Sequence, residues 1–126
     1  MFKKNNHNFS LIKNNKELDQ FLAKIKNKKK FFFDTEFERR STYQAIISIV
    51  VIFDGKNIGI IDCLEKNINY KKIFKFLNKK NITLVIHSCR QDLEIFLSVV
   101  KKILFTVFDT QIAALFNGYD LSLIHI

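Results

Sequence analysis

The feature that most constrains the fold is an almost wholly apolar segment, Ile46–Phe53, near the middle of a chain of 126 residues. It is too short to span a membrane, and an apolar run of this length favours a strand inside a sheet. A second apolar run, residues 31–33, leads into an acidic segment and predicts another buried strand. A turn at residues 54–57 predicts a hairpin between Ile46–Phe53 and a third strand at residues 58–61.

Helical periodicity accounts for most of the remaining chain. Asn14 with Glu17 predicts a capped helix start, Ser88 with Gln91 predicts a second, and Asp109 a third. The apolar positions on these helices and on a helix near residues 70–77 are Leu18, Phe21, Leu22, Ile25, Tyr70, Ile73, Phe74, Leu77, Leu93, Phe96, Leu97 and Val100. Gly118 is expected to end the last helix, which runs through Phe116. Further strands are predicted at residues 9–12, 82–86 and 104–108.

The order of these elements predicts one α/β domain, residues 1–126, with a mixed sheet flanked by helices. The first residues lack the apolar stretch of a signal peptide, so we expect a cytoplasmic protein without a membrane span. Cys63 and Cys89 do not have metal-type spacing and are expected to be small buried or half-buried residues.

Positive charge dominates the chain, with a formal net charge of +9 and a pI of about 9.6. Such a balance favours a polyanionic partner, and a solvated lysine-rich surface is the alternative. The charge is concentrated in two lysine runs, residues 24–30 and 71–80.

Asp34 and Glu36 are the first candidate site residues. Because side chains alternate along a strand, both carboxylates are expected on one face. A divalent cation between them would relieve their repulsion, and hard oxygen ligands suit Mg²⁺ or Mn²⁺. A solvated strand end is the structural alternative.

Asp92 is the third candidate and lies in the first turn of a helix that follows a buried strand. A helix dipole also favours an acid there without any function. Together with Asp34 and Glu36 it could form a two-metal site for phosphodiester cleavage. In that scheme Asp34 bridges both ions, Glu36 holds the ion that binds the attacking water, and Asp92 holds the other. Glu94 is expected to be a surface charge.

Four segments resemble the ribonuclease D family of DEDD-type 3′→5′ exonucleases. FDTEFERRSTY is similar to its first exonuclease motif and VIHSCRQDLEIF to its second, while FDTQIAALFNGYDLSL and the hairpin DGKNIGIID also fit. The resemblance implies a ribonuclease H-like fold, two Mg²⁺ or Mn²⁺ ions on Asp34, Glu36 and Asp92, and hydrolysis of RNA 3′ ends. Trimming of tRNA precursors is implied by the resemblance alone.

The sequence departs from the family at its end. The third motif, a Tyr with a fourth carboxylate, has no match after Asp120. The helical domains that follow it in the family are expected to be missing. The resemblance therefore implies a domain that is incomplete at its C-terminus, with apolar sheet surface left exposed. Asp109 is not a substitute, since it is interpreted as a helix cap.

Other residues near the proposed ligands are candidates for nucleic-acid contact. They are Phe37, Arg39, Arg40, Tyr43, His87 and Arg90. Arginines can bind phosphates and aromatic rings can stack on bases, whereas a solvated surface or core packing is the alternative for each.

Three functional hypotheses stay open beside the preferred exoribonuclease. The chain could be a DNA proofreading-type exonuclease of the same superfamily, a catalytically inactive nucleic-acid-binding fragment, or a broken reading frame that folds poorly. Activity on matched RNA and DNA strands separates the first from the preferred hypothesis, and binding without turnover identifies the second.

Overall fold

The computed structural model of the chain describes residues 7–39 and 45–119. This part forms a mixed sheet of six strands with four helices. The strands are β1 (Asn8–Ile12), β2 (Lys30–Glu38), β3 (Ile46–Phe53), β4 (Asn57–Asp62), β5 (Thr83–Ile86) and β6 (Thr106–Asp109). The helices are α1 (Asn15–Ile25), α2 (Lys71–Leu77), α3 (Arg90–Val99) and α4 (Thr110–Phe116). None of these helices has the length and apolar character needed to span a bilayer.

The strand order is β1-β4-β3-β2-β5-β6, and only β3 runs against its neighbours. The carboxyl ends of β2, β5 and β6 therefore meet at one edge of the sheet, here called the carboxyl edge. Their amino ends, together with the hairpin between β3 and β4, lie at the opposite amino edge. The predicted mixed α/β sheet is confirmed, and so is the interior position of β3.

One face of the sheet carries the hydrophobic core. Phe33 of β2 lies on this face and contacts the ring of Phe74 in α2 and that of Phe96 in α3. Phe96 lies at the centre of the aromatic cluster, with ring centroids 4.7 Å from those of both Phe74 and Phe105. Phe21 of α1 packs on the same face, so three helices bury one side of the sheet.

The other face is less covered in the described part of the chain. Phe32 and Ile49 are partly exposed there, and Phe108 is 52% exposed. The apolar character of β3 therefore exceeds what its single covered face requires.

The start of α1 is as predicted, because Asn14 Oδ1 accepts a hydrogen bond of 2.9 Å from the backbone N–H of Glu17. The expected cap of α3 is wrong. Ser88 has a φ of 57°, in the left-handed region, and α3 begins after Cys89 without a side-chain cap of its own. Leu97 was expected to be buried and is about half exposed. The buried face of α3 is rotated toward Ile95, which the periodic pattern omitted.

Gly59 lies directly beneath the ring of Phe21, and the substitution Gly59→Ala is expected to destabilise the fold by about 2 kcal/mol. A Cβ there would lie 2.5 Å from two ring carbons of Phe21, which is shorter than non-bonded carbon atoms can approach each other. Urea unfolding of the variant measures the loss. In a Phe21→Leu background, Gly59→Ala should lower the free energy of unfolding by less than it does in the parent chain. An equal loss in the two backgrounds would contradict the steric cause.

Candidate active site

Strand β2 presents two carboxylates on the open face of the sheet. Asp34 and Glu36 are both exposed, and Thr35 between them is buried on the core face. The predicted shared face is confirmed, because strict alternation continues through this part of β2. Whether the two side chains bind metal stays a prediction.

A β-bulge lies beside Glu36. Glu36 pairs with Ile49 and Phe37 with Ile47, so Ser48 is the extra residue on β3. The Ser48 hydroxyl donates a hydrogen bond of 2.9 Å to the backbone carbonyl of Glu36. Bulges are frequent next to active sites because they change the direction of nearby side chains.

Asp92 approaches the same strand from the core side. Its side chain lies in the first turn of α3 and is only 6% exposed. The Thr35 hydroxyl donates a hydrogen bond of 2.6 Å to Asp92 Oδ1. Burial raises the pKa of Asp92, the hydrogen bond from Thr35 opposes this rise, and the negative charge of Asp34 adds to it. The carboxylates of Asp34 and Asp92 are therefore coupled electrostatically across the end of β2.

His87 follows β5 at the carboxyl edge and is fixed by the start of α4. Its Nδ1 lies 2.9 Å from the hydroxyl oxygen of Thr110. Asp34, His87, Thr110, Phe32 and Phe53 help to line a shallow cavity of about 230 Å³. The structure thus brings His87 and Asp34 to the same depression in the open face.

Two of the candidate arginines, Arg39 and Arg90, converge on Glu94. Arg39 forms an ion pair of 2.8 Å with Glu94, and Arg90 approaches the same carboxylate at 3.6 Å. The Arg90 side chain is 91% exposed, and the guanidinium of Arg39 lies 5.6 Å from the ring centroid of Phe37. Phe37 itself is half-buried against the core. Glu94 is a surface charge, as predicted.

Arg40 and Tyr43, the remaining nucleic-acid candidates, lie outside the described residues. Cys63 is buried and Cys89 half-buried, as expected, and both are free thiols.

Asp109 ties the starts of two helices together. Its Oδ1 accepts hydrogen bonds from the backbone N–H groups of Gln111 (2.8 Å) and Ser88 (3.0 Å), and its Oδ2 accepts one from Cys89 (2.8 Å). The hydrogen bond that caps α4 was predicted, but the hydrogen bonds to the backbone of Ser88 and Cys89 were not. Burial alone would raise the pKa of Asp109, but the hydrogen bonds from Cys89, Gln111 and Ser88 lower it to about 2.

The substitution Asp109→Asn is expected to lower stability by about 1–2 kcal/mol near neutral pH, since an amide cannot accept all three hydrogen bonds. The folded pKa of about 2 lies below the ordinary value of 3.8, so the carboxylate stabilises the fold above 3.8. That contribution disappears as the pH falls from about 4 to about 2. Urea unfolding across this range should therefore show a steeper acid loss in the parent chain than in the variant. Parallel pH curves would contradict this role.

The proposed ligands suit a hard divalent cation in their chemistry, since all three offer carboxylate oxygens. Asp34 and Glu36 share a face, and Asp92 lies within the electrostatic reach of Asp34. Within residues 7–39 and 45–119, no three acidic, histidine or cysteine side chains are already gathered tightly enough to hold a metal ion. The chemistry of these donors suits such an ion, and the repulsion between the carboxylates of Asp34 and Asp92 is what a cation would relieve.

Acidic side chains at the carboxyl edge of a mixed α/β sheet are typical of nuclease domains that hydrolyse phosphodiesters with metal ions. The chain belongs to the 3′-5′ exonuclease family, whose sequence model matches residues 9–125. This assignment agrees with the family resemblance of its motifs.

Individual relatives support the same assignment. Over 109 residues the chain is 32% identical to ribonuclease D of Nitrobacter hamburgensis, which covers 86% of this chain and 28% of the relative. The solved structure of Escherichia coli RNase D superposes with a TM-score of 0.77 at 29% identity, over 91% of this chain and 30% of that one. The catalytic core of RRP6 from Trypanosoma brucei gives a TM-score of 0.78 at 22% identity, over 97% and 34%.

These superpositions confirm the predicted ribonuclease H-like α/β fold. The chain spans about a third or less of the length of each of these relatives.

Proposed function

We propose that this chain carries the hydrolytic site of a 3′→5′ exoribonuclease of the ribonuclease D type. The observation that carries the proposal is the pairing of Asp34 and Glu36 on one face of β2, with Asp92 coupled to Asp34 and fixed by Thr35. Membership of the 3′-5′ exonuclease family and about 30% identity to ribonuclease D support the direction and the substrate.

Asp34, Glu36 and Asp92 would hold two divalent cations, Mg²⁺ or Mn²⁺. Such cations, when bound, activate a water molecule and stabilise the leaving oxygen of a phosphodiester. The hydrogen bond from the Thr35 hydroxyl holds one oxygen of the Asp92 carboxylate beside β2. The protein thus supplies two exposed acids from one strand and one oriented, buried acid from a helix.

The surroundings of these acids suit a single RNA strand. Arg90 is almost fully exposed near Asp92 and can contact a phosphate, while Arg39 is partly neutralised by Glu94. The cavity beside Asp34 has mostly apolar walls, including Phe32 and Phe53, against which a base can pack.

The natural substrate is proposed from similarity. Escherichia coli RNase D is described as an exoribonuclease involved in structured RNA processing. We propose RNA 3′ ends as the substrate class, with tRNA precursors as one member and the cytoplasm as the location.

The direct test is hydrolysis of a 5′-labelled single-stranded RNA by the purified chain with Mg²⁺ or Mn²⁺, beside a DNA of the same sequence. We expect stepwise shortening from the 3′ end, faster on RNA than on DNA and stopped by a chelator. Faster cleavage of DNA would favour the proofreading-type alternative. Binding without shortening in either metal would favour an inactive nucleic-acid-binding module.

A further inference from the structure

The amino edge of the sheet concentrates positive charge at the end of the molecule opposite the acidic site. The lysines there precede β2, β5 and β6 or lie in the hairpin before β4. They are Lys28, Lys29, Lys30, Lys56, Lys79, Lys80, Lys101 and Lys102, and all are exposed. The sequence shows only two lysine runs; parallel strand pairing is what brings residues from four separate places to one edge.

The segments that carry these lysines are fastened to one another. Asn78 Nδ2 donates a hydrogen bond of 2.8 Å to the carbonyl of Lys102, and Asn78 Oδ1 accepts one of 2.8 Å from the N–H of Leu104. The N–H of Thr83 donates a hydrogen bond of 2.8 Å to the carbonyl of Lys29. These hydrogen bonds therefore hold the backbone segments that carry the lysines in place relative to one another.

This charge has little compensation nearby. In the described part of the chain, ion pairs are formed by Arg39, Lys72 and Arg90, and these three residues lie away from the amino edge. The carboxylate of Asp54 is at this edge, but it is buried and already accepts hydrogen bonds from Lys56 N, Asn57 N and Asn57 Nδ2. Lys79 Nζ lies 4.8 Å from the ring centroid of Phe76, and the charge of Lys28 acts on Asp54. The remaining exposed ammonium groups of this edge are left for a partner.

Stabilisation of helix ends explains only part of the lysine content. The helices α1, α2 and α3 end near the amino edge, and cations favour the last turn of a helix. The lysines in those last turns are Lys24 of α1 and Lys75 of α2, whereas the last turn of α3 has none. The amino-edge lysines lie beyond these turns, where the effect of the dipole falls off.

We propose that the amino edge is a docking surface for the phosphate backbone of single-stranded RNA, upstream of the 3′ end that enters the acidic site. The identity of the polyanion rests on the proposed function. The strands that these lysines precede lie side by side, with neighbouring strands about 4.8 Å apart, and positive charge distributed along a sheet edge matches a linear polyanion better than a flat membrane surface. Lys30 and Glu36 are separated by roughly 20 Å along β2, so only an RNA of several nucleotides reaches both edges.

The test compares two triple variants that remove the same charge. One carries Lys79→Gln, Lys80→Gln and Lys102→Gln at the amino edge. The control carries Lys13→Gln, Lys16→Gln and Lys66→Gln, which are exposed lysines outside that edge. Binding of a fluorescent single-stranded RNA about 20 nucleotides long is measured by anisotropy with a chelator present, over a series of salt concentrations.

We expect the amino-edge triple variant to bind the long RNA at least about tenfold more weakly, with the slope of log K against log salt reduced by about 2. The control variant should keep both values. Because no hydrolysis is needed, an inactive chain that still shows this difference would refute the proposed function alone. Where the parent chain is active, cleavage of a trinucleotide should be the same in all three proteins.

Several results would overturn the docking surface. Equal losses in the two triple variants would mean that only total charge matters. A lower melting temperature with unchanged RNA affinity would assign the lysines to stabilisation of the fold. Loss of binding to phosphatidylserine vesicles, with RNA affinity preserved, would assign them to a membrane surface.

Discussion

The substitution Asp34→Asn is expected to lower the rate of RNA hydrolysis about a thousandfold, which corresponds to about 4 kcal/mol of transition-state stabilisation. Asn preserves the shape of the side chain but removes the negative charge that would hold a divalent cation. The same change removes the charge that raises the pKa of Asp92, so that pKa should fall. Calorimetric titration with Mn²⁺ should show weaker binding together with the loss of activity.

The matched control for this prediction is Glu65→Gln. Glu65 is exposed in the loop between β4 and α2, so its substitution also removes one carboxylate from the surface. Both the rate and Mn²⁺ affinity should be unchanged in that variant. If Asp34→Asn hydrolysed RNA as fast as the parent chain, Asp34 would have no role in metal binding.

The substitution Phe96→Ala is expected to destabilise the fold by about 3–5 kcal/mol, as large-to-small changes of buried aromatic residues do. Phe96 is fully buried, and its ring contacts those of Phe33, Phe74 and Phe105. It therefore joins β2, α2 and the segment before β6. Since the free energy of unfolding of small domains is only about 5–15 kcal/mol, the variant should lose a large part of it.

Equilibrium unfolding in urea measures this loss, and Phe116→Ala is the control. Phe116 is 89% exposed at the end of α4, so removal of its ring should change the free energy of unfolding by less than about 0.5 kcal/mol. Similar losses in the two variants would contradict the central position of Phe96 in the core.

Local sequence patterns predicted the elements of the fold well. The bounds of β3 match the apolar run, Asn14 caps α1, and Gly118 follows α4 with a positive φ. These features depend on side-chain periodicity and on hydrogen bonds between residues close in the chain. The predicted cap at Ser88 failed because a carboxylate far along the chain, that of Asp109, satisfies the backbone N–H groups of that segment instead.

In the candidate site, too, features set by local sequence were predicted and contacts between distant residues were not. Alternation along β2 predicted that Asp34 and Glu36 share a face, and the structure agrees. The hydrogen bond from Thr35 to Asp92 joins residues 57 positions apart, and nothing local to either residue announces it. The one signal in the sequence was that Thr35 is a polar residue at a strand position that faces the core, where its hydroxyl needs a hydrogen-bond partner. The bulge at Ser48 likewise depends on the pairing of two strands and has no mark in either strand alone.

Asp109 accepts hydrogen bonds from two separate segments, and this has a consequence for the order in which they form. Its carboxylate lies 20 positions beyond the Cys89 N–H that it binds, so the segment before α3 cannot be completed until β6 has paired with β5. Loop closure over that distance costs chain entropy before the hydrogen bonds repay it. The backbone N–H groups just before α3, the helix that carries Asp92, therefore gain these hydrogen bonds only when β5 and β6 are paired.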